Sequence, residues 1–163
     1  MRTRTWLSPL LLVVIAGLAY LPLVGRFGYT FDDWYLMWSA KVYGPQAFHA
    51  IFSVDRPLRG YLLDAVYRLF GENPLWYNLS AWGWRVLSGL AFWWALRMVW
   101  PKQARATFGA ALIFVLYPGF LSQYNGIDYQ SQTASLAAAM LSIALTVWAA
   151  SVSPPARTYL WLE

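Results

Sequence analysis

The sequence predicts an all-α, polytopic membrane protein. It would have about four transmembrane helices, the start of a fifth, and short amphipathic surface helices in its first outer loop. The prediction rests on composition, on long uncharged apolar runs, and on where the aromatic residues fall. Of the 163 residues, 60% are hydrophobic and only 12% charged, whereas a soluble domain carries about 25% charged residues. Too few polar residues remain to cover a water-facing surface, so lipid is the expected solvent. Trp and Tyr, eleven of each, are residues that collect at the membrane–water boundary.

A helix needs about 20 mostly apolar residues to cross the hydrocarbon core. The first span is predicted over about 6–24, where no residue is charged. Arg2 and Arg4 precede it, and Ala16-Gly17-Leu18-Ala19 offers small residues. A cleaved signal peptide is therefore the competing reading, but the uninterrupted length and the later spans favour a retained anchor. The second span, about 75–100, contains Arg85 and ends near Arg97. Arg97 can snorkel to the boundary, while Arg85 must face protein or a wet cavity. The third and fourth spans are predicted over about 107–122 and 132–150. After Pro154-Pro155 a new apolar segment begins at Tyr159, and the chain stops at Glu163. That pattern predicts a sequence truncated in the first turn of a fifth helix. The whole of 1–163 is read as one transmembrane domain.

Charge sets the orientation. Arg2, Arg4, Lys102, Arg105 and Arg157 lie on one side of this layout, and the connection after span three has no Lys or Arg. Basic loops stay in the cytoplasm, which predicts a cytoplasmic N-terminus and places the long loop 26–74 outside. That loop balances Arg26, Lys41, Arg56, Arg59 and Arg68 against Asp32, Asp33, Asp55, Asp64 and Glu72. Leu58, Leu62, Ala65, Val66 and Leu69 fall on one side of a helix opened by Pro57 and stopped at Gly71, as expected of a surface helix. The net charge of +5 is spread rather than clustered, which argues against nucleic-acid binding. Cys is absent, so disulfides and thiol chemistry are excluded.

The candidate chemistry gathers in the outer loops. Thr30-Phe31-Asp32-Asp33-Trp34-Tyr35 puts two adjacent carboxylates among aromatics just past span one. Close carboxylates raise one another's pKa, an apolar wall adds to the rise, and such a group can take a proton from a hydroxyl. The alternative is that Asp32 caps a surface helix and Asp33 faces water. Asp55-Arg56-Pro57-Leu58-Arg59 brings two guanidinium groups near the membrane surface. They suit a phosphate, with headgroup contact or pairing to Asp55 as the alternative. Arg85 needs a partner, either Asp128 or an anionic headgroup, and is a further phosphate candidate. Tyr124, Asn125 and Asp128 lie in a polar, aromatic second outer loop. Together with Trp34 they form the expected substrate-contacting set, an ordinary boundary loop being the alternative. His49 has no second His or Cys beside it, so it is a weak metal or proton-relay candidate. A carboxylate-held Mg2+ or Mn2+ is compatible with the acidic residues.

In order along the chain, several short motifs resemble the N-terminal part of GT-C type membrane glycosyltransferases, the superfamily of protein O-mannosyltransferases and aminoarabinose transferases. Phe31-Asp32-Asp33-Trp34 follows the first helix at once, and Arg56-Pro57-Leu58 opens a surface helix. Phe70-Gly71-Glu72-Asn73-Pro74-Leu75-Trp76-Tyr77-Asn78 is similar to the family's entry to the second span, and Phe114-Val115-Leu116-Tyr117-Pro118 to its third-span ending. The resemblance runs from about residue 6 to 150. It implies sugar transfer from a polyprenyl-phosphate donor to an acceptor on the outer side of a plasma (inner) membrane. Asp32 or Asp33 would be the base, with Arg56 or Arg59 on the donor phosphate and a divalent metal optional. The family often has Asp-Glu where this chain has Asp-Asp, and the family's later helices and distal outer domain have no counterpart here. The competing expectations are a non-catalytic membrane protein (a transporter piece or an assembly subunit) and an inactive fragment. A transporter would more often place polar or broken segments deep in paired spans.

Overall fold

A computed structural model of the chain describes residues 7–117 and 126–152. They form seven α-helices: α1 (Leu7–Val24), α2 (Asp32–Tyr43), α3 (Ala47–Ile51), α4 (Pro57–Phe70), α5 (Pro74–Val99), α6 (Ala104–Leu116) and α7 (Gln130–Val152). No strand occurs among the described residues. The expected start of a fifth span, at Tyr159, lies outside them.

Two of the helices, Leu7–Val24 and Gln130–Val152, are long and apolar enough to cross a membrane. In α1 the large residues Leu10, Leu18 and Leu23 are exposed, and only Leu12 and Ala16 are buried. α5 is 26 residues long, about 39 Å at 1.5 Å per residue, but Arg85 and Arg97 interrupt its apolar character. α6 has 13 residues, about 20 Å, and ends at Leu116, while residues 118–122 of the span expected over 107–122 lie outside the described residues. The cause of this end is Pro118, which excludes helical geometry from the residue before it. Tyr117 accordingly turns extended, with φ −56° and ψ 125°.

α5 is the hub, packing against α7, α6 and α1. Small residues make the close approaches. Ala91 and Ala95 of α5 meet Ala144 of α7, and Ala16 of α1 meets Val86 and Val115 of α5 and α6. A side chain at Gly89 would run into Val115. Small residues inside and leucines outside is the pattern of helices that pack tightly in an apolar solvent.

The helices of the first loop form a second layer at one end of this bundle. Its core is Leu36, Met37, Ala40, Phe48, Phe52 and Leu63, closed by Tyr77 of α5 and Ile127. Pro57 starts α4, and Gly71, at φ 60°, ends it in the left-handed region. Asn73 then caps α5 by accepting the Leu75 N–H at 3.0 Å. α3 crosses α4 at Gly60, where an added Cβ would lie 2.7 Å from the Phe48 carbonyl oxygen. Only glycine fits there without moving backbone. Gly60→Ala should therefore cost about 1–3 kcal/mol of stability, read as a lower melting temperature of the detergent-solubilised protein. An unchanged melting temperature would mean that α3 and α4 do not approach this closely.

Candidate functional site

The carboxylate pair sits where α2 begins. Residues 33, 36, 37 and 40 form the buried face of this helix, so Asp33 occupies a position otherwise filled by Leu36, Met37 and Ala40. Phe31, Trp34, Tyr35, Trp38 and Val42 form the exposed face. The adjacent acids therefore have opposite surroundings. Asp32 is exposed, while Asp33 has no accessible surface.

Asp33 is held on both carboxylate oxygens. Oδ1 accepts the backbone N–H of Asp128 at 2.9 Å, from the turn before α7. Oδ2 accepts the N–H of Thr30 at 3.2 Å and its hydroxyl at 3.4 Å. The Asp33 N–H returns a 2.9 Å bond to the Thr30 carbonyl, so Thr30 and Asp33 are bonded reciprocally across the start of α2. The N-cap of α2 is Phe31, without a side-chain cap bond, so Asp32 does not fill the capping role offered as its alternative, and it is Asp32 that faces water. Between Thr30 and Asp33 the chain makes a tight turn with Phe31 at φ 45°. A bulky residue there costs on the order of 1–3 kcal/mol.

Asp128 is clamped in turn. Its carboxylate and its carbonyl oxygen both accept from Nη2 of Arg59, the carbonyl at 2.8 Å. Arg59 is buried, with its guanidinium carbon 4.2 Å from the centre of the Phe52 ring. Asp128 was an expected partner of Arg85, and the structure corrects that. Arg85, deep in α5, instead lies over the Tyr20 ring at 4.7 Å, and Tyr20 donates to the Val115 carbonyl at 3.2 Å. The substrate-contact role expected of Asp128 also meets a side chain already engaged by protein.

Arg59 forms part of the wall of an open groove of about 660 Å3 between α4 and α7. Leu58, Leu62, Ala134 and Ala138 make the wall mainly apolar, and Ser131 and Ser135 add hydroxyls. Arg56 is at the same wall, exposed and paired with Asp55 at 2.8 Å. Arg85 is not among the lining residues. Of the substrate-contacting set, Trp34 is exposed and stands edge-on to Tyr29 at 5.0 Å. Tyr124 and Asn125 lie outside the described residues. His49 bonds Asp64 at 3.0 Å, and Arg68 takes the other oxygen of that carboxylate at 2.8 Å. Among the described residues, no three of His, Asp and Glu come together as a metal site.

Sequence reasoning did not single out Gln130. It is buried, donates to the carbonyls of Tyr77 and Gly126 at 2.7 Å each, and accepts from Ser80 at 2.8 Å. It fastens the Asp128 turn to α5. No short motif marks it, and its only signal is a polar residue heading an apolar helix.

Compared with known proteins, the chain matches no family model, no curated protein and no solved structure.

Burial pushes the Asp33 carboxyl up from its ordinary 3.8 to about 6, against the lowering effect of the N–H groups of Asp128 and Thr30. Folded Asp33 thus holds its proton more tightly than unfolded Asp33. Its contribution to stability is fully present below an ordinary 3.8 and is lost as pH rises through about 6. The total is about 3 kcal/mol at most, at 1.36 kcal/mol per pH unit. Asp33→Asn removes this dependence. Melting temperatures taken from pH 4 to 7 should show the variant gaining on the wild type as pH rises. A constant difference across that range would mean that Asp33 ionises normally.

Proposed function

We propose that this chain is a module of a membrane glycosyltransferase, transferring a sugar from a polyprenyl-phosphate donor to an acceptor on the outer side of the membrane. In this reading α1, α5 and α7 cross a plasma (inner) membrane, with the shorter α6 covering part of the return path, the N-terminus is cytoplasmic, and α2 to α4 lie on the outer face. The observation that carries the reading is a hydrogen-bonded path from the carboxylate pair to the groove. It runs from Asp33 through Asp128 to Arg59. A groove with apolar walls and arginines at one end suits an amphiphile with a phosphate head and a hydrocarbon tail. The motif order shared with GT-C enzymes supports the same donor.

Asp32 is the proposed base, because it is the exposed member of the pair. It takes the proton from an acceptor hydroxyl or amine as that atom attacks the anomeric carbon. The bond from that carbon to the phosphate oxygen breaks with inversion, and polyprenyl phosphate leaves with the electron pair. Arginines at the groove stabilise the leaving charge. Arg56, paired only at the surface, is the group best placed to exchange its partner for a phosphate.

One observation favours a second reading, a non-catalytic assembly subunit. Both Asp33 and Asp128 are fully engaged by protein partners, as structural carboxylates are.

The test is transfer of radiolabelled sugar from a polyprenyl-phosphate donor, in membranes holding the longest natural form of the protein. Asp32→Asn should lower transfer by about 10²-fold or more, the scale of a general base, with membrane insertion unchanged. Wild-type transfer by this variant would remove Asp32 from the mechanism. No transfer by the wild type across a panel of donors would favour the non-catalytic reading.

A further inference from the structure

We propose that Asp33 is a positioning residue rather than the proton acceptor, and that it works as one end of a latch with Asp128 and Arg59 that fixes the turn presenting Asp32. The proposal rests on the glycosyltransferase reading for its catalytic half, while the latch itself stands on hydrogen bonds.

A proton acceptor must reach its substrate. Asp33 has no accessible surface, and both of its oxygens already accept N–H or O–H bonds from Asp128 and Thr30. Taking a substrate proton would require breaking those bonds and opening the α2 face. Asp32 needs neither step, because neighbouring residues on a helix point about 100° apart. It sits between Phe31, held at φ 45°, and Asp33. The Phe31 conformation is unfavourable alone and persists only where its surroundings determine it. The surroundings here are the reciprocal bonds between Thr30 and Asp33 on either side of it. Asp33 thus sets the backbone that aims Asp32.

The far end of the latch is equally specific. Asp128 uses its N–H on Asp33 and its carboxylate and carbonyl on Arg59. Arg59 itself is fixed in α4 over the Phe52 ring. The first and second outer loops, 95 residues apart, are therefore joined at one residue. The charged group facing Asp33 is Asp128 from the turn before α7, with Arg59 of α4 neutralising it, and the titratable but uncharged phenol of Tyr29 lies on its own segment. Ile127, beside the clamp, is 1% exposed, so its accessibility reports whether the turn is seated.

The chain has no cysteine, so Ile127→Cys supplies a single thiol at that point. Its reaction with a membrane-impermeant thiol reagent is followed in membranes, alone and combined with Asp32→Asn, Asp33→Asn or Asp128→Asn. Asp33→Asn should speed labelling by roughly tenfold, the factor expected for losing about one hydrogen bond, and Asp32→Asn should leave it unchanged. Asp128→Asn keeps the N–H to Asp33 but loses the ion pair. It should also speed labelling, and it serves where Asp33→Asn does not insert. In the transfer assay, Asp33→Asn should lower kcat while keeping the acid limb of the pH profile, because the proton acceptor Asp32 is intact. Unchanged labelling in both the Asp33 and Asp128 variants would overturn the latch. Loss of the acid limb in Asp33→Asn with position 127 still shielded would make Asp33 the base and overturn the proposal. If the wild type transfers no sugar, the glycosyltransferase reading fails, while the labelling rates still decide the latch.

Discussion

The layer formed by α2 to α4 depends on one clamped residue, Asp128. Its amide serves the carboxylate of Asp33, and its own carboxylate and carbonyl serve the guanidinium of Arg59. None of these groups has much water to fall back on, since Asp33 and Arg59 are both buried. Removing one partner of a buried ion pair costs about 3–5 kcal/mol, because the charge left behind is uncompensated. Gln130 reinforces the clamp from the other side by tying the same turn to the carbonyl of Tyr77 on α5. This layer is thereby registered against the helix bundle. Its carboxylate pair and the groove wall become parts of one arrangement.

The bundle beneath follows a different rule. α5 approaches its neighbours through Ala81, Ser88, Gly89, Ala91 and Ala95, while the leucines of α1 point outward. Polar contacts among its described residues include Ser88 bonding the Arg85 carbonyl at 2.7 Å and Tyr20 bonding the Val115 carbonyl at 3.2 Å. Arg85 lies over the aromatic face of Tyr20. Dispersion between small, close-packed residues does most of the work there. Polar complementarity is concentrated at the end that carries the acids.

Much of the architecture was legible in the residue pattern. An uncharged apolar run marks α1, Pro57 and Gly71 bracket α4, and Asn73-Pro74 opens α5. These signals are local, and local chemistry decides them. The division of labour between Asp32 and Asp33 was half legible. The spacing 33, 36, 37, 40 puts Asp33 on an apolar face, but whether that face is buried depends on Phe48, Phe52, Leu63 and Ile127, which are distant in sequence. The partners of Arg59 and Arg85 were not legible at all. Asp128 was one candidate for Arg85, and the fold brings it to Arg59 because α4 touches the start of α7. Such pairing is set by tertiary geometry, to which single-residue patterns are blind. The end of α6 at Leu116 has a local reason, the proline after Tyr117.

The Arg59–Asp128 pair organises the layer formed by α2 to α4, and a double-mutant cycle measures its contribution. Melting of the solubilised protein is compared for the wild type, Arg59→Met, Asp128→Leu and the double variant. Each single change should destabilise strongly, by about 3–5 kcal/mol, and the double variant should recover much of the loss because no buried charge is left unpaired. Single changes with no effect, or a double variant whose loss equals the sum of the two, would contradict it.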